Sequence, residues 1–238
     1  MVNYEIKSQL AKLLATEDLV VENRNTQTAS FDVENRVLTL PMWEKASGTV
    51  YDMLVGHEVG HALFTPDDWS WEKRVPRSFV NITEDARIEK LMKRKYPGLT
   101  KTFYRAYKDL SEEDFFELSD MNISEMNLAD RINLKYKIGN WVDVPFTDEE
   151  MELVDLVGKS ETFGEAVFAA EEVYRYTKEQ LNTQTPQPNL EEVVETPQGN
   201  GEEIESEETE ESNEPTFDTP EMESEDHSEG AVSYTHLT

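Results

Sequence analysis

The sequence describes an α+β protein, mainly helical, with a small N-terminal sheet and an acidic tail. Three observations carry that expectation. Apolar residues recur at helical spacing through most of residues 1–182, one stretch at 28–40 alternates in the manner of a strand, and the residues from Thr183 onward have too few apolar groups to build a core.

Residues 4–15 place Ile6, Leu10, Leu13 and Leu14 at helical spacing and predict a short amphipathic helix. The segment T-A-S-F-D-V-E-N-R-V-L-T-L then predicts a hairpin turning at Glu34-Asn35. Phe31, Val33, Leu38 and Leu40 share one face there, Thr39 lies on the other, and Pro41 ends it. A second helix is expected from Gly48 to Phe64, stopped by the turn Thr65-Pro66-Asp67-Asp68. Trp69 and Trp71 follow in a loop, where packing beneath it is their expected role. After Pro76 a third helix begins, with Ser78 as its expected cap and Pro97-Gly98 closing it. Further helical patterns surround Phe103–Leu110, Met126–Ile138, Glu149–Val157 and Phe163–Leu181, with a break at Asn140–Pro145.

Charge divides the chain. Of 51 Asp and Glu against 22 Lys and Arg, seventeen acids and no base fall after residue 182, so residues 1–182 carry −12 of the net −29. Residues 1–182 are expected to form one domain and 183–231 a disordered acidic linker or tail. The last seven residues, V-S-Y-T-H-L-T, break the acidic pattern abruptly and resemble translation through a sequencing adapter. Residues 232–238 are therefore expected to be an assembly artefact on a truncated chain. Cysteine is absent, which excludes disulfides and thiolate metal sites. The N-terminus lacks a signal-peptide pattern and no stretch has membrane-spanning length, so a cytoplasmic protein is expected. Overall acidity argues against nucleic acid as a partner.

Residues 55–66, V-G-H-E-V-G-H-A-L-F-T-P, carry the chemistry. One helical turn apart, His57 and His61 leave the same face and can close on one cation, and Glu58 stands beside them. This is the H-E-x-x-H arrangement of zinc metallopeptidases, in which the ion acidifies water towards a pKa of ~7 and the glutamate takes its proton. Gly56 and Gly60 suggest close approach of another backbone. Residues 36–40 are the expected edge strand for an extended peptide or protein substrate. Two histidines need a third protein ligand. The helix N-I-T-E-D-A-R-I-E offers Glu84, Asp85 and Glu89. Its apolar face, drawn by Ile82, Ile88, Met92 and Tyr96, centres near Asp85, with Lys90 and Arg94 opposite. A carboxylate there is costly unless paired or bound to metal.

H-E-V-G-H-A-L-F-T-P followed by N-I-T-E-D-A-R-I-E-K-L-M-K-R-K-Y-P-G-L resembles the zincin-type, gluzincin-like metallopeptidases of T4-like tailed bacteriophages, which often precede a von Willebrand A-like domain. It is also similar to the motif pair of cobalt-chelatase subunits carrying that domain. The resemblance spans roughly residues 28–182. It implies a zincin-like core, a Zn²⁺ cofactor and a host cytoplasmic location. Glu84 is the third ligand by that pattern, with Asp85 in reserve, and Asp85, Glu89 and Arg87 stand behind the ligands. A von Willebrand A-like partner domain beyond the tail is implied too. Arg87, Tyr104 and Tyr107 are the candidate donors to an oxyanion. The rival expectation is an inactive zincin-fold module that docks a partner through its tail or the missing A domain. The basic run Lys90, Lys93, Arg94, Lys95, Lys101, Arg105 and Lys108 belongs with it, as a clamp for the tail or as a solvated face.

Overall fold

The structure, a computed structural model, describes residues 2–43, 46–184 and 231–232. Helix α1 (Tyr4–Ala15) leads into strands β1 (Val20–Arg24), β2 (Ser30–Asp32) and β3 (Val37–Pro41). Helices α2 (Gly48–Phe64), α3 (Arg77–Lys95), α4 (Leu99–Glu112), α5 (Leu128–Ile138), α6 (Asp148–Lys159) and α7 (Phe163–Gln184) follow, with a 3-10 turn at Ile123–Glu125 and a two-residue strand, β4 (Ala231–Val232). The fold is α+β and mainly helical. No helix among the described residues is long and apolar enough to cross a membrane. The expected acidic tail and adapter lie outside the described residues, apart from Thr183 and Gln184 in α7 and Ala231 and Val232 in β4.

The expected hairpin forms. Strands β2 and β3 pair antiparallel with Phe31 opposite Leu38, and the Asp32 carboxylate closes the turn by accepting from the Asn35 backbone and side chain at 2.8 and 2.9 Å. Phe31, Val33, Leu38 and Leu40 are buried together, as the alternation required. The sheet differs from expectation in two ways. β1 was not foreseen; it pairs parallel with β3, Val20 opposite Val37. With the order β1-β3-β2-β4, β3 is paired on both sides, so residues 36–40 are not the expected edge strand for a substrate.

Helix α1 packs on α2 through Lys7, Ala11, Leu14 and Ala15, whereas Ile6 and Leu13 are 56% and 75% exposed. The small alanines admit close approach. Lys7 Nζ adds donations to Gly48 O at 3.0 Å and Asp52 Oδ1 at 2.5 Å, which turn this face inward. That pair of contacts is invisible to hydrophobic periodicity.

Helix α2 is the centre of the molecule. Ser47 caps it by accepting from Val50 N, and every residue from Tyr51 to Ala62 except Asp52 is buried, under α1, α3, α4 and the sheet. A Cβ on Gly56 would stand 3.2 Å from the Phe103 ring, and one on Gly60 would stand 2.8 Å from Ile88 Cδ1 and 3.1 Å from Met92 Cγ. The close approach is thus real, but side chains of α4 and α3 make it and no backbone does.

Helix α3 starts directly after Pro76 with no side-chain cap, and Ser78 lies inside its first turn. The predicted apolar face is buried at Ile82, Ile88 and Met92. The opposite face is covered in part, since α6 and α7 pack on the helix and Lys90 Nζ donates to Gly158 O at 2.9 Å and Ser160 O at 2.5 Å, while Arg94 stays exposed. Thr83 Oγ1 donates to Ala166 O at 2.8 Å, locking α3 to α7. Trp71 packs with Val75, Val80, Val167 and Ala170 beneath its loop, and Trp69 lies against them. Across the break after α5, buried Arg131 reaches Glu150 with two nitrogens and also donates to Pro145 O at 2.7 Å, which fixes α6 on α5.

Candidate metal centre

Helix α2 supplies His57 and His61 one turn apart, and α3 crosses it so that Asp85 faces both. The three groups are buried, and their ligand atoms can be held by a single metal ion. Asp85 Oδ1 stands 3.4 Å from His57 Nε2 and 3.3 Å from His61 Nε2, and the two Nε2 atoms are 3.3 Å apart. Ligands about 2.05 Å from a tetrahedral ion are separated by about 3.3 Å, so this triangle has the dimensions of one face of a coordination tetrahedron. Asp85 Oδ1 is moreover buried without a hydrogen-bond partner. An orphaned, buried carboxylate oxygen aimed at two imidazole nitrogens fits a cation between them.

Each imidazole is held from behind, at its other nitrogen. His57 Nδ1 is 3.1 Å from Glu89 Oε1, so its N–H donates to that carboxylate and leaves Nε2 as a lone pair. His61 Nδ1 donates to Thr65 Oγ1 at 2.9 Å, and the threonine hydroxyl donates to Glu84 Oε1 at 2.5 Å. Thr65 ends α2, where its N–H also bonds His61 O. Glu84 in turn receives Arg87 Nε at 2.7 Å and Nη2 at 2.6 Å in a buried fork.

These contacts sort the expected site residues. His57 and His61 come together, and the Glu58 carboxylate lies close enough to feel the charges of His57 and Asp85. Asp85, the reserve, is the carboxylate that faces both histidines. Glu84, the ligand implied by the resemblance, is absent from the group and points to Thr65 and Arg87, where two guanidinium nitrogens consume its charge. The position that centres the apolar face of α3 is the one that meets the histidines. Glu89 orients His57 as a supporting group should. Arg87 supports His61 only through Glu84 and Thr65, and also donates to Phe64 O at 2.8 Å. Among the three expected oxyanion donors, Tyr104 is half exposed against Trp141, Arg87 is committed to Glu84, and Tyr107 alone joins the centre, its hydroxyl donating to Glu89 Oε1.

Two residues of the centre carried no signal in the sequence. Thr65 was only a turn residue. Lys137, from α5, donates its ammonium to Asp85 Oδ2 at 3.1 Å. Only the packing of α5 on α3 brings it there.

The electrostatics follow from a shared, water-poor space. Burial alone would lower the His57 pKa, but Asp85 and Glu89 overcome it and lift it to about 10. Burial lowers His61, and with the neighbouring charge of His57 it outweighs the opposing pull of Asp85 and Glu84. Asp85 is held well below the usual range, because Lys137 and His57 outweigh the opposing effect of burial. Glu89, similarly opposed by burial, is brought down to about 2 by Lys93 and His57. Glu58 behaves differently. Burial raises it to about 7, and its Oε2 has no hydrogen-bond partner. The centre therefore offers a cation the lone pair of His61, that of His57 once its extra proton is displaced, and an ionised oxygen, with one carboxylate balanced between protonated and ionised near neutral pH.

No family model matches the chain, and neither a curated protein nor a solved structure matches it.

Proposed function

We propose that this protein is a zinc-dependent peptidase with a zincin-like core, in which His57, His61 and Asp85 hold the ion and Glu58 is the general base. The observation that carries the reading is the triangle of Nε2, Nε2 and Oδ1 with edges of 3.3, 3.3 and 3.4 Å. Two imidazoles and one carboxylate are a donor set suited to zinc with a position left open. When bound, the ion supplies the Lewis acidity that acidifies water and polarises a carbonyl.

The chain's own groups do the rest. Glu58, raised to about 7 by burial, takes a proton from water near neutral pH and returns it to the leaving amine nitrogen. Glu89 and Thr65 hold the two rings in the tautomer that leaves each Nε2 unprotonated. Tyr107, hydrogen-bonded to Glu89, and Lys137, paired with Asp85, fix the two carboxylates against rotation.

A second reading has its own observation. His61 is fully buried and Glu58 only 2% exposed, which suits a metal-stabilised interaction module as well as an enzyme that opens to admit its substrate. Such a module would dock a partner through the acidic tail or an A-like domain beyond it. Glu58→Gln separates the two. A peptidase loses at least about 100-fold in turnover of a protein or peptide substrate while retaining one ion per chain. Unchanged turnover, or wild-type protein that takes up no zinc, would remove the enzyme reading.

A further inference from the structure

Beside the metal centre, between α3, α5 and the end of α6, lies a cavity of about 400 Å³. Asp85, Glu89 and Lys137 belong both to its wall and to the centre, so one layer of side chains separates it from the histidines. Lys90, Lys93 and Arg94 are the other charged residues of its wall, beside the polar Asn133 and Tyr136.

The charge balance of that wall is unusual for this chain. Lys137 is matched by Asp85 at 3.1 Å and Lys93 by Glu89 at 3.0 Å. Lys90 and Arg94 share one carboxylate, that of Glu161. Four cations thus face three carboxylates, a surplus of one positive charge on a protein of net charge −29. A divalent ion held by His57, His61 and Asp85 would enlarge the surplus. Ile82 and Ala86 supply an apolar wall beside the cations, suited to the methylene stem of a short acidic side chain. A nucleic acid would meet the repulsion of the whole chain, whereas a single carboxylate meets only the local field.

We propose that this cavity is a specificity subsite of the peptidase, taking the carboxylate of a Glu or Asp residue of the substrate close to the bond that is cut. The inference rests on the peptidase reading of the metal centre, and it adds the substrate class: acidic peptides. Arg94 and Lys93 are its selecting residues. Arg94 is the more exposed, with its side chain 56% accessible against 30% for Lys93, and both can turn from Glu161 and Glu89 to an incoming carboxylate.

The test uses the full chain carrying Glu58→Gln and loaded with zinc. Fluorescein-labelled peptides are compared in pairs that differ only by Glu against Gln at one position, scanned along the peptide, with binding read by anisotropy. At least one Glu peptide should bind about tenfold more tightly than its Gln mate, the size of one charge-assisted hydrogen bond, and the ratio should shrink as salt is raised. Adding Lys93→Gln and Arg94→Gln should bring the ratio towards one, while Lys93→Arg with Arg94→Lys should keep it. Melting curves and zinc content establish that each variant is folded and loaded. No Glu peptide favoured by more than twofold, or a preference that survives the Gln variants, overturns the subsite. Wild-type enzyme that cleaves Glu and Gln peptides equally also overturns it and leaves the peptidase standing. A Glu preference in binding without any cleavage by the wild type keeps the subsite and removes the peptidase.

Discussion

Replacing Glu84 and Arg87 together, by Gln and Met, separates the two neighbouring carboxylates as metal ligands. Glu84 lies in a buried fork with Arg87, so removing either partner alone would orphan a charge at a cost of about 3–5 kcal/mol and confuse binding with unfolding. Replacing both avoids that cost. What remains is the loss of Arg87's donations to Phe64 O and Glu161 O, about 1 kcal/mol each. The amide introduced by Glu84→Gln keeps an oxygen that can accept from Thr65, so His61 stays oriented and zinc affinity should fall by no more than about tenfold. Asp85→Ala removes the oxygen 3.3–3.4 Å from both Nε2 atoms. Structural zinc sites bind with about 10–16 kcal/mol over four ligands, or about 3 kcal/mol per ligand, so this variant should lose at least about 100-fold. Competition against a chromophoric chelator at pH 7 measures both affinities, and thermal melts confirm folding. Zinc lost from the double variant but retained in Asp85→Ala would refute the assignment and return the ligand to Glu84.

The remaining predictions concern the same centre and its supports. Without an ion, His57 at about 10 holds a proton at neutral pH that zinc must displace; apparent affinity should therefore rise about tenfold per pH unit from 6 to 8, measured by the same competition, and a flat profile would contradict the charge balance. Thr65→Val breaks the path from His61 to Glu84 and should weaken zinc about 10–100-fold, with Thr65→Ser restoring it. Gly60→Ala pushes a methyl to within 2.8 Å of Ile88 Cδ1 where α2 meets α3 and should cost about 1–3 kcal/mol in denaturant melts. Arg131→Ala leaves Glu150 buried without its cation, so the same melts should show a loss of about 3–5 kcal/mol while zinc content holds.

How much of this was legible in the sequence depends on how local each signal is. The bounds of α2 were readable because the apolar run is bracketed by Ser47 and by Thr65-Pro66. The hairpin was readable because strand alternation and a turn lie within a dozen residues. On α3, the angular centre of the apolar face pointed to Asp85, since that carboxylate projects into the same space as Ile88 and Met92. The structure turns Glu84 to Arg87 and Thr65, and identity within a motif does not say which neighbour makes that pair. β1 was missed because its partner is the far strand of the hairpin, reached in parallel, and V-V-E-N-R has no alternation of its own. Lys137 and Thr65 were missed because their roles exist only once α5 and the end of α2 are packed against α3. The face of α1 was misjudged because Lys7, a charged residue, is what it buries.

The burial of α2 on every side bears on time as well as affinity. A centre already shaped by Glu89, Thr65 and the surrounding helices needs little rearrangement to accept a cation, but His57, His61 and Asp85 each expose 6% or less of their surface. Loading and stripping would then wait on rare separations of α3 from α2, openings of the kind that govern slow amide exchange. Chelator should remove the ion at a rate independent of chelator concentration, however modest the affinity. Protein that meets the ion while folding would be filled at once, and protein that folds without it would stay empty long after the metal arrives.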